Sequence, residues 1–256
     1  MSPVIVNWYV FFIGTCIGSF LNVCIYRLPA GKSIVRPASA CPACGSAIRW
    51  YDNIPLISYL ILRGRCRNCN ASISIRYPII ELLCGLFAMA SWMHYGQGLE
   101  ALIYFILIAA LVTITFIDID HRIIPDIISL PGIPLGFLSS FILPQLKWSD
   151  SLIGIAAGGG SLLAIAWGYQ LFTGKDGMGG GDIKLLAMIG AFLGWKGVLF
   201  TIMASSLVGS LVGLLVMLRS AKDMKMALPF GPFLAMGAIA YIFLGPRLIE
   251  WYFNLI

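Results

Sequence analysis

The chain has 256 residues, 59% of them hydrophobic and only 11% charged, with a formal net charge of +6 and a mean hydropathy of +0.91. Soluble domains carry about 25% charged residues, so the composition excludes a water-soluble globule and implies an integral membrane protein. The basic excess sits in short loops between apolar runs, where membrane topology accounts for it better than nucleic acid does, and no nucleic-acid partner is expected.

The first apolar run is Trp8 to Tyr26. It has no basic segment before it and no A-x-A-type cleavage site, so it reads as a retained first span rather than a cleaved signal. Residues 27–76 follow as a polar loop. Eight basic side chains from Arg27 to Arg76 face one acid there, Asp52, and the positive-inside rule puts the loop in the cytoplasm with the N-terminus outside.

Alternation then predicts spans at Tyr77–Tyr95, Ala101–Ile117, Ile127–Pro144, Ser151–Thr173, Ile183–Trp195, Gly197–Leu218 and Ala227–Leu244, leaving the C-terminus outside. Lys222 and Lys225 fall on the cytoplasmic side, and Trp8, Trp92, Trp148 and Trp251 fall near span ends, as interfacial aromatics do. The expectation is an all-α polytopic membrane protein of about eight transmembrane helices with a small zinc-bound cytoplasmic loop domain. Its parts are residues 1–26, a first transmembrane helix; 27–76, the loop domain; and 77–256, a transmembrane domain. No internal repeat is evident.

Seven cysteines punctuate the chain. Cys41-Pro-Ala-Cys44 and Cys66-Arg-Asn-Cys69 form two C-x-x-C pairs with 21 residues between them, close to a four-thiolate zinc spacing. A reducing compartment argues against disulfides; a redox pair is the rival. A loop of this size cannot hold itself together by core burial alone, and a metal would staple it. Cys16, Cys24 and Cys84 lie in apolar runs and read as ordinary small buried residues.

Two acid-bearing segments stand at span ends on the same, cytoplasmic side. One is Phe116-Ile-Asp118-Ile-Asp120-His121-Arg-Ile-Ile-Pro125-Asp126; the other is Gly177-Met-Gly179-Gly180-Gly181-Asp182-Ile-Lys184-Leu185. No single helix can join residues this far apart, but two helix ends converging across a bundle can. Paired carboxylates that share a site split their protonation, one acting as base and the other as acid, and glycines let an extended backbone approach. Asp118 and Asp120 point to different faces of a helix, so at most one faces Asp182. Asp126, after Pro125, reads as a helix N-cap, and His121 as an interfacial polar residue rather than a metal ligand. Lys184 either supports the ionised form of the site or serves the interface.

Gly179-Gly-Gly-Asp182 fits the G-x-G-D motif of intramembrane aspartyl proteases, and the stretch from Asp118 to Asp126 resembles the D-x-D-x-x-x-x-P-D segment of the bacterial prepilin peptidases. Gly18-Ser-Phe-Leu-Asn-Val-Cys-Ile-Tyr-Arg-Leu-Pro29, the loop from Cys41 through Tyr51-Asp-Asn-Ile-Pro55 to Cys69, and Leu228-Pro-Phe-Gly231-Pro-Phe-Leu-Ala235 are similar to that family in order. The tetracysteine loop distinguishes it from the presenilin-like and archaeal preflagellin enzymes.

The resemblance implies catalytic Asp118 and Asp182, with Asp120 the fallback for the first, and structural zinc on Cys41, Cys44, Cys66 and Cys69. It also implies residence in the bacterial inner membrane with the active site facing the cytoplasm. Prepilins and pseudopilins of type II secretion are the implied substrates, cut after a Gly. N-methylation of the new N-terminus with S-adenosylmethionine is the second implied activity, tied to the loop. The sequence has no Rossmann-type unit to hold that donor, and its residues stay unassigned. Glu81 is a buried-acid candidate, with snorkelling or pairing to Arg76 as alternatives. Two other classes remain open: a transporter or channel with a zinc-bound regulatory loop, and a pilus-machine scaffold without chemistry.

Overall fold

The computed structural model describes residues 2–174, 179–219 and 229–253. They form helices α1 (Pro3–Arg27), α2 (Ile57–Ile61), α3 (Arg76–Tyr95), α4 (Leu99–His121), α5 (Asp126–Ser139), α6 (Trp148–Thr173), α7 (Gly180–Arg219) and α8 (Gly231–Phe253), with a 3-10 turn at Trp50–Asp52. Among the described residues there is no strand beyond two isolated bridges. The expectation of an all-α membrane protein holds at that level, and α1, α4, α6 and α7 are long and apolar enough to cross a bilayer.

Internal contacts divide the chain into two compact units, Met1–Thr113 and Ile114–Ile256. In the first, α1 lies on α3 through small residues. A Cβ added to Gly14 would stand 2.6 Å from Ala88 Cβ, and one on Gly18 2.7 Å from Glu81 Cα. In lipid there is no hydrophobic drive between helices, so close backbone approach and interhelical hydrogen bonds hold them. The Asn22 amide supplies such a bond, donating to Gly18 O and, across the interface, to Tyr77 O, each at 3.2 Å.

The second unit packs α5, α6 and α8 on α7. Gly154 of α6 and Gly190 of α7 meet backbone to backbone, and Gly158 meets Leu186 in the same way. The buried Ser151 hydroxyl donates to Ala191 O at 2.7 Å. Leu185, Leu186, Ile189, Leu234 and Ile242 fill the interior.

Two expected spans differ from what is observed. The segment expected to run from Ile127 to Pro144 is helical only over Asp126–Ser139, 14 residues with Pro131 and Pro134 inside. That is about 21 Å, short of a ~30 Å hydrocarbon core. The final helix starts at Gly231 and runs on to Phe253, beyond the expected Leu244.

The two spans expected either side of Lys196 correspond to the two helical stretches of α7, which meet at a kink at Gly194 (φ 69°, ψ −179°), a left-handed conformation that favours glycine. Val198 Cγ2 comes to 2.9 Å from the Cβ position of Gly190. Eight residues of straight helix would separate them by about 12 Å, so the chain turns sharply there.

Candidate active site and tetracysteine cluster

Asp118 lies in the last turn of α4 and is 5% exposed. Two residues on, Asp120 occupies a different face and is exposed, as helical geometry requires. The chain leaves α4 through Arg122 at φ 55°, whose N–H donates to Asp118 O at 2.9 Å. Asp182 stands in the first turn of α7, and its carboxylate and that of Asp118 interact electrostatically. Of the two acids at the α4 end, the structure therefore brings Asp118 to Asp182. Gly177 and Met178 of the glycine-rich stretch lie outside the described residues, as do Lys222, Lys225 and Leu228.

A third helix completes the site. Gly231, the first residue of α8, donates its N–H to Asp118 Oδ2 at 3.0 Å. This is one of the donors that every helix N-terminus leaves without an intrahelical partner. A Cβ on Gly231 would stand 2.6 Å from that same oxygen. Ile124 packs between the helix starts: its atoms come to 2.9 Å from the Cβ position of Gly181 and 3.4 Å from that of Gly231. In the sequence Gly231 stands out only as one member of a family-like stretch. Its one local signal was a Pro-Phe-Gly-Pro run announcing a helix start.

Asp126 takes a role other than the one expected, and of the two readings open for Lys184 its partner favours the structural one. Lys184 Nζ lies 2.8 Å from both Asp126 carboxylate oxygens, so its charge is engaged by α5 rather than by the aspartate pair. Asp126 is the first helical residue of α5, Pro125 occupies the N-cap, and no side-chain cap bond is made. The N-cap reading fails because the acid is turned to the lysine of the neighbouring helix. His121 is exposed at the end of α4.

The four cysteines of the two C-x-x-C pairs converge in the first unit, their sulfurs all within 4.8 Å of one another, with Cys41 and Cys69 Sγ 3.9 Å apart. Four thiolates about 2.3 Å from a tetrahedral metal are about 3.8 Å apart, so the donor set and spacing suit a metal ion.

The folding reason is a short turn made twice. Cys41 N–H donates to Ser46 O, Gly45 N–H to Cys41 O, and Ala40 bridges Ala47. Likewise Cys66 N–H donates to Ala71 O, Asn70 N–H to Cys66 O, and Arg65 bridges Ser72. Gly45 (φ 69°) and Asn70 (φ 57°) take the same left-handed corner, the two residue types that do so most readily.

Hydrogen bonding with Ser46, through its side chain and then its backbone, lowers the Cys44 thiol to about 6. The backbone N–H groups of Cys69 and then Asn68 lower Cys66. At Cys69 the backbone N–H of Ala71 is outweighed by desolvation and by hydrogen bonds to Cys44, Cys66 and Cys41, which together push that thiol up to about 11. These thiols hold their protons unequally, and a metal would need all four as thiolates. Asn68 ties the turns together by donating to Ser46 Oγ at 2.7 Å. Arg67 forks onto Asp52, with its Nε 3.0 and 2.9 Å from the two oxygens. Cys24 and Cys84 are buried as expected, but Cys16 is exposed on α1.

Glu81 is 8% exposed and does not snorkel. Its Oε2 accepts the Leu56 N–H at 2.8 Å, and Ser19 hydrogen-bonds the same carboxylate.

Two family models match the chain: Bacterial Peptidase A24 N-terminal domain over residues 12–95 and Type IV leader peptidase family over 105–214. Among curated proteins, the prepilin leader peptidase/N-methyltransferase of Myxococcus xanthus is 42% identical over 84% of this chain and 64% of its own length. Those of Pseudomonas putida and Aeromonas hydrophila are each 39% identical. The alignments cover 87% and 95% of this chain, and 85% and 92% of the relatives. No solved structure matches. The match favours an enzyme over the transporter and scaffold readings, and on these grounds the chain belongs to the type IV leader peptidase family.

Proposed function

We propose that the protein is an aspartic endopeptidase that removes the leader of type IV prepilins and type II secretion pseudopilins after a Gly, and then methylates the new N-terminal amine. The observation that carries the reading is the convergence of Asp118, Asp182 and the Gly231 N–H from three separate helices. One carboxylate is ionised and takes a proton from water, whose oxygen adds to the scissile carbonyl carbon. The other, protonated, donates to the carbonyl oxygen as it gains charge. Collapse of the resulting gem-diol breaks the C–N bond: one hydroxyl returns its proton to the second carboxylate as the new C=O forms, and the leaving amine takes the proton held by the first carboxyl. The Gly231 N–H holds one oxygen of Asp118 and fixes the carboxylate plane.

The molecule sits in the bacterial inner membrane with about eight spans, α7 counting as two about Gly194. Both termini are outside, and Asp118 and Asp182 are at the cytoplasmic surface, where a basic prepilin leader would arrive. Cys41, Cys44, Cys66 and Cys69 hold a structural zinc ion that staples the loop of residues 27–76. That loop is the methylation-associated part, and residues 77–256 are the peptidase part. S-adenosylmethionine, when bound, supplies an electrophilic methyl group. The donor set around the four sulfurs supports zinc, and the reading of the methyl donor rests on the family alone.

Cleavage of a prepilin in membranes, with Asp118→Asn and Asp182→Asn compared separately, tests the dyad. Asn keeps the shape of the side chain and cannot ionise. Loss of cleavage in both, with the protein still accumulating, is the expected result. Retained cleavage in Asp118→Asn alone moves the first role to Asp120 or Asp126, and retained cleavage in both overturns the peptidase reading.

A further inference from the structure

The loop after α1 runs deeper than its charge suggests. Leu56 donates to Glu81, five residues into α3 from Arg76, about 7.5 Å along that helix. Asn53 and Pro55 line one end of an open cavity of about 350 Å³ whose wall along α1 runs from Arg27 at the helix end down to Cys16, with loop residues 34–39 closing the other side. Cys16 precedes the end of α1 at Arg27 by eleven residues, about 16 Å. The segment around residues 53–61 therefore lies beside the membrane-spanning parts of α1 and α3.

Backbone polar groups at that depth must be satisfied by the protein, and here they are. The Ile54 N–H donates to Ser58 Oγ at 2.9 Å, Ser58 in turn donates to Tyr51 O at 3.0 Å, and Glu81 takes the Leu56 N–H. The short helix α2 that follows shows Ile57, Leu60 and Ile61, 49%, 73% and 68% exposed, at i, i+3 and i+4 on one face. Exposed Arg63 and Arg65 come directly after it.

We infer that α2 inserts its Ile57–Leu60–Ile61 face into the acyl boundary of the leaflet, with Arg63 and Arg65 against the phosphates of anionic headgroups. Covalent continuity with two membrane helices brings the face to the bilayer, and the basic pair complements anionic lipid. The inference rests on reading α1 and α3 as spans.

The test uses the full chain in nanodiscs of phosphatidylglycerol and phosphatidylcholine in equal parts, with p-benzoylphenylalanine replacing Leu60 or, as a control, Phe12 of α1. Leu60 is largely exposed, so its replacement leaves the interior intact. Irradiation should give phospholipid adducts from both positions. Adding Arg63→Glu should lower the yield from position 60 about fivefold, with no change in discs of phosphatidylcholine alone. Adducts from position 12 but none from position 60 overturn the inference while α1 still spans. Adducts from neither position sink both readings. Adducts from position 60 to a second copy or to a pilin replace the lipid with that partner.

Discussion

The tetracysteine cluster and the aspartate site assemble in opposite ways. The four thiols come from residues 41 to 69, and each pair is presented by the same local turn, closed by backbone bonds between neighbours four and five residues apart. Asp118, Asp182 and Gly231 come from the end of one helix and the starts of two others, and nothing local to any of them determines the meeting. The loop has little buried surface of its own: Pro55, Ser58 and Gly64 are its buried residues between 28 and 75. The aspartate site stands on an interior filled by Leu185, Leu186, Ile189 and Leu234. A locally folded cluster should fail by losing its structure, and a site carried on a packed bundle should fail by losing its chemistry.

The largest effects should separate the two regions cleanly. Asp182→Asn should lower prepilin cleavage by about 10³-fold or more, the upper range for removing acid–base catalysis, with metal content unchanged by elemental analysis. Cys66→Ser should take the metal from about one ion per chain to nearly none and expose residues 28–75 to limited proteolysis, since a metal-dependent module unfolds without its ion. Cleavage should fall by less than about tenfold, because the chemical groups stand in the other unit. If Cys66→Ser abolished cleavage as completely as Asp182→Asn, the separation of roles would collapse.

Gly231→Ala sharpens the account of the aspartate site. The added methyl would occupy the place of Asp118 Oδ2, 2.6 Å away, so the carboxylate must swing off the α8 N–H. A hydrogen bond to a charged group is worth about 1.5–3 kcal/mol, or about 10- to 10²-fold in rate. The loss should fall on kcat in a prepilin cleavage assay, leaving KM near the wild-type value, because the residue touches the carboxylate proposed to do the chemistry.

The same contrast explains what was legible in the sequence. The thiol cluster could be read from spacing because its geometry is short-range. Even so, the recurrence of the turn was hidden, since Gly45 in one turn is matched by Asn70 in the other and only the shared left-handed corner equates them. The positions of Asp118 and Asp182 could be recognised, and alternation of faces limited Asp118 and Asp120 to one partner. The choice between them depended on which face of α4 is turned inward, and that is fixed by packing: Asp118 is buried and Asp120 exposed. Gly231 was invisible as a site residue because its contribution is a backbone N–H. The Asp126 misreading came from local capping logic, when a cation 58 residues away, on another helix, claims the carboxylate.

That last pair defines the smallest effect. Lys184 and Asp126 join the start of α7 to the start of α5, close in sequence to Asp182, which makes a catalytic role tempting. Their side chains, however, are 38% and 56% exposed, and exposed ion pairs contribute about 0.2–1 kcal/mol. Lys184→Ala and Asp126→Asn should therefore each lower cleavage by no more than about fivefold, the double variant should be little worse than either single one, and the effect should shrink as salt screens the pair. A loss approaching that of Asp182→Asn, persisting in high salt, would mean that Lys184 acts on the aspartates directly. The ion pair would then belong with the chemistry rather than with the scaffold that aligns it.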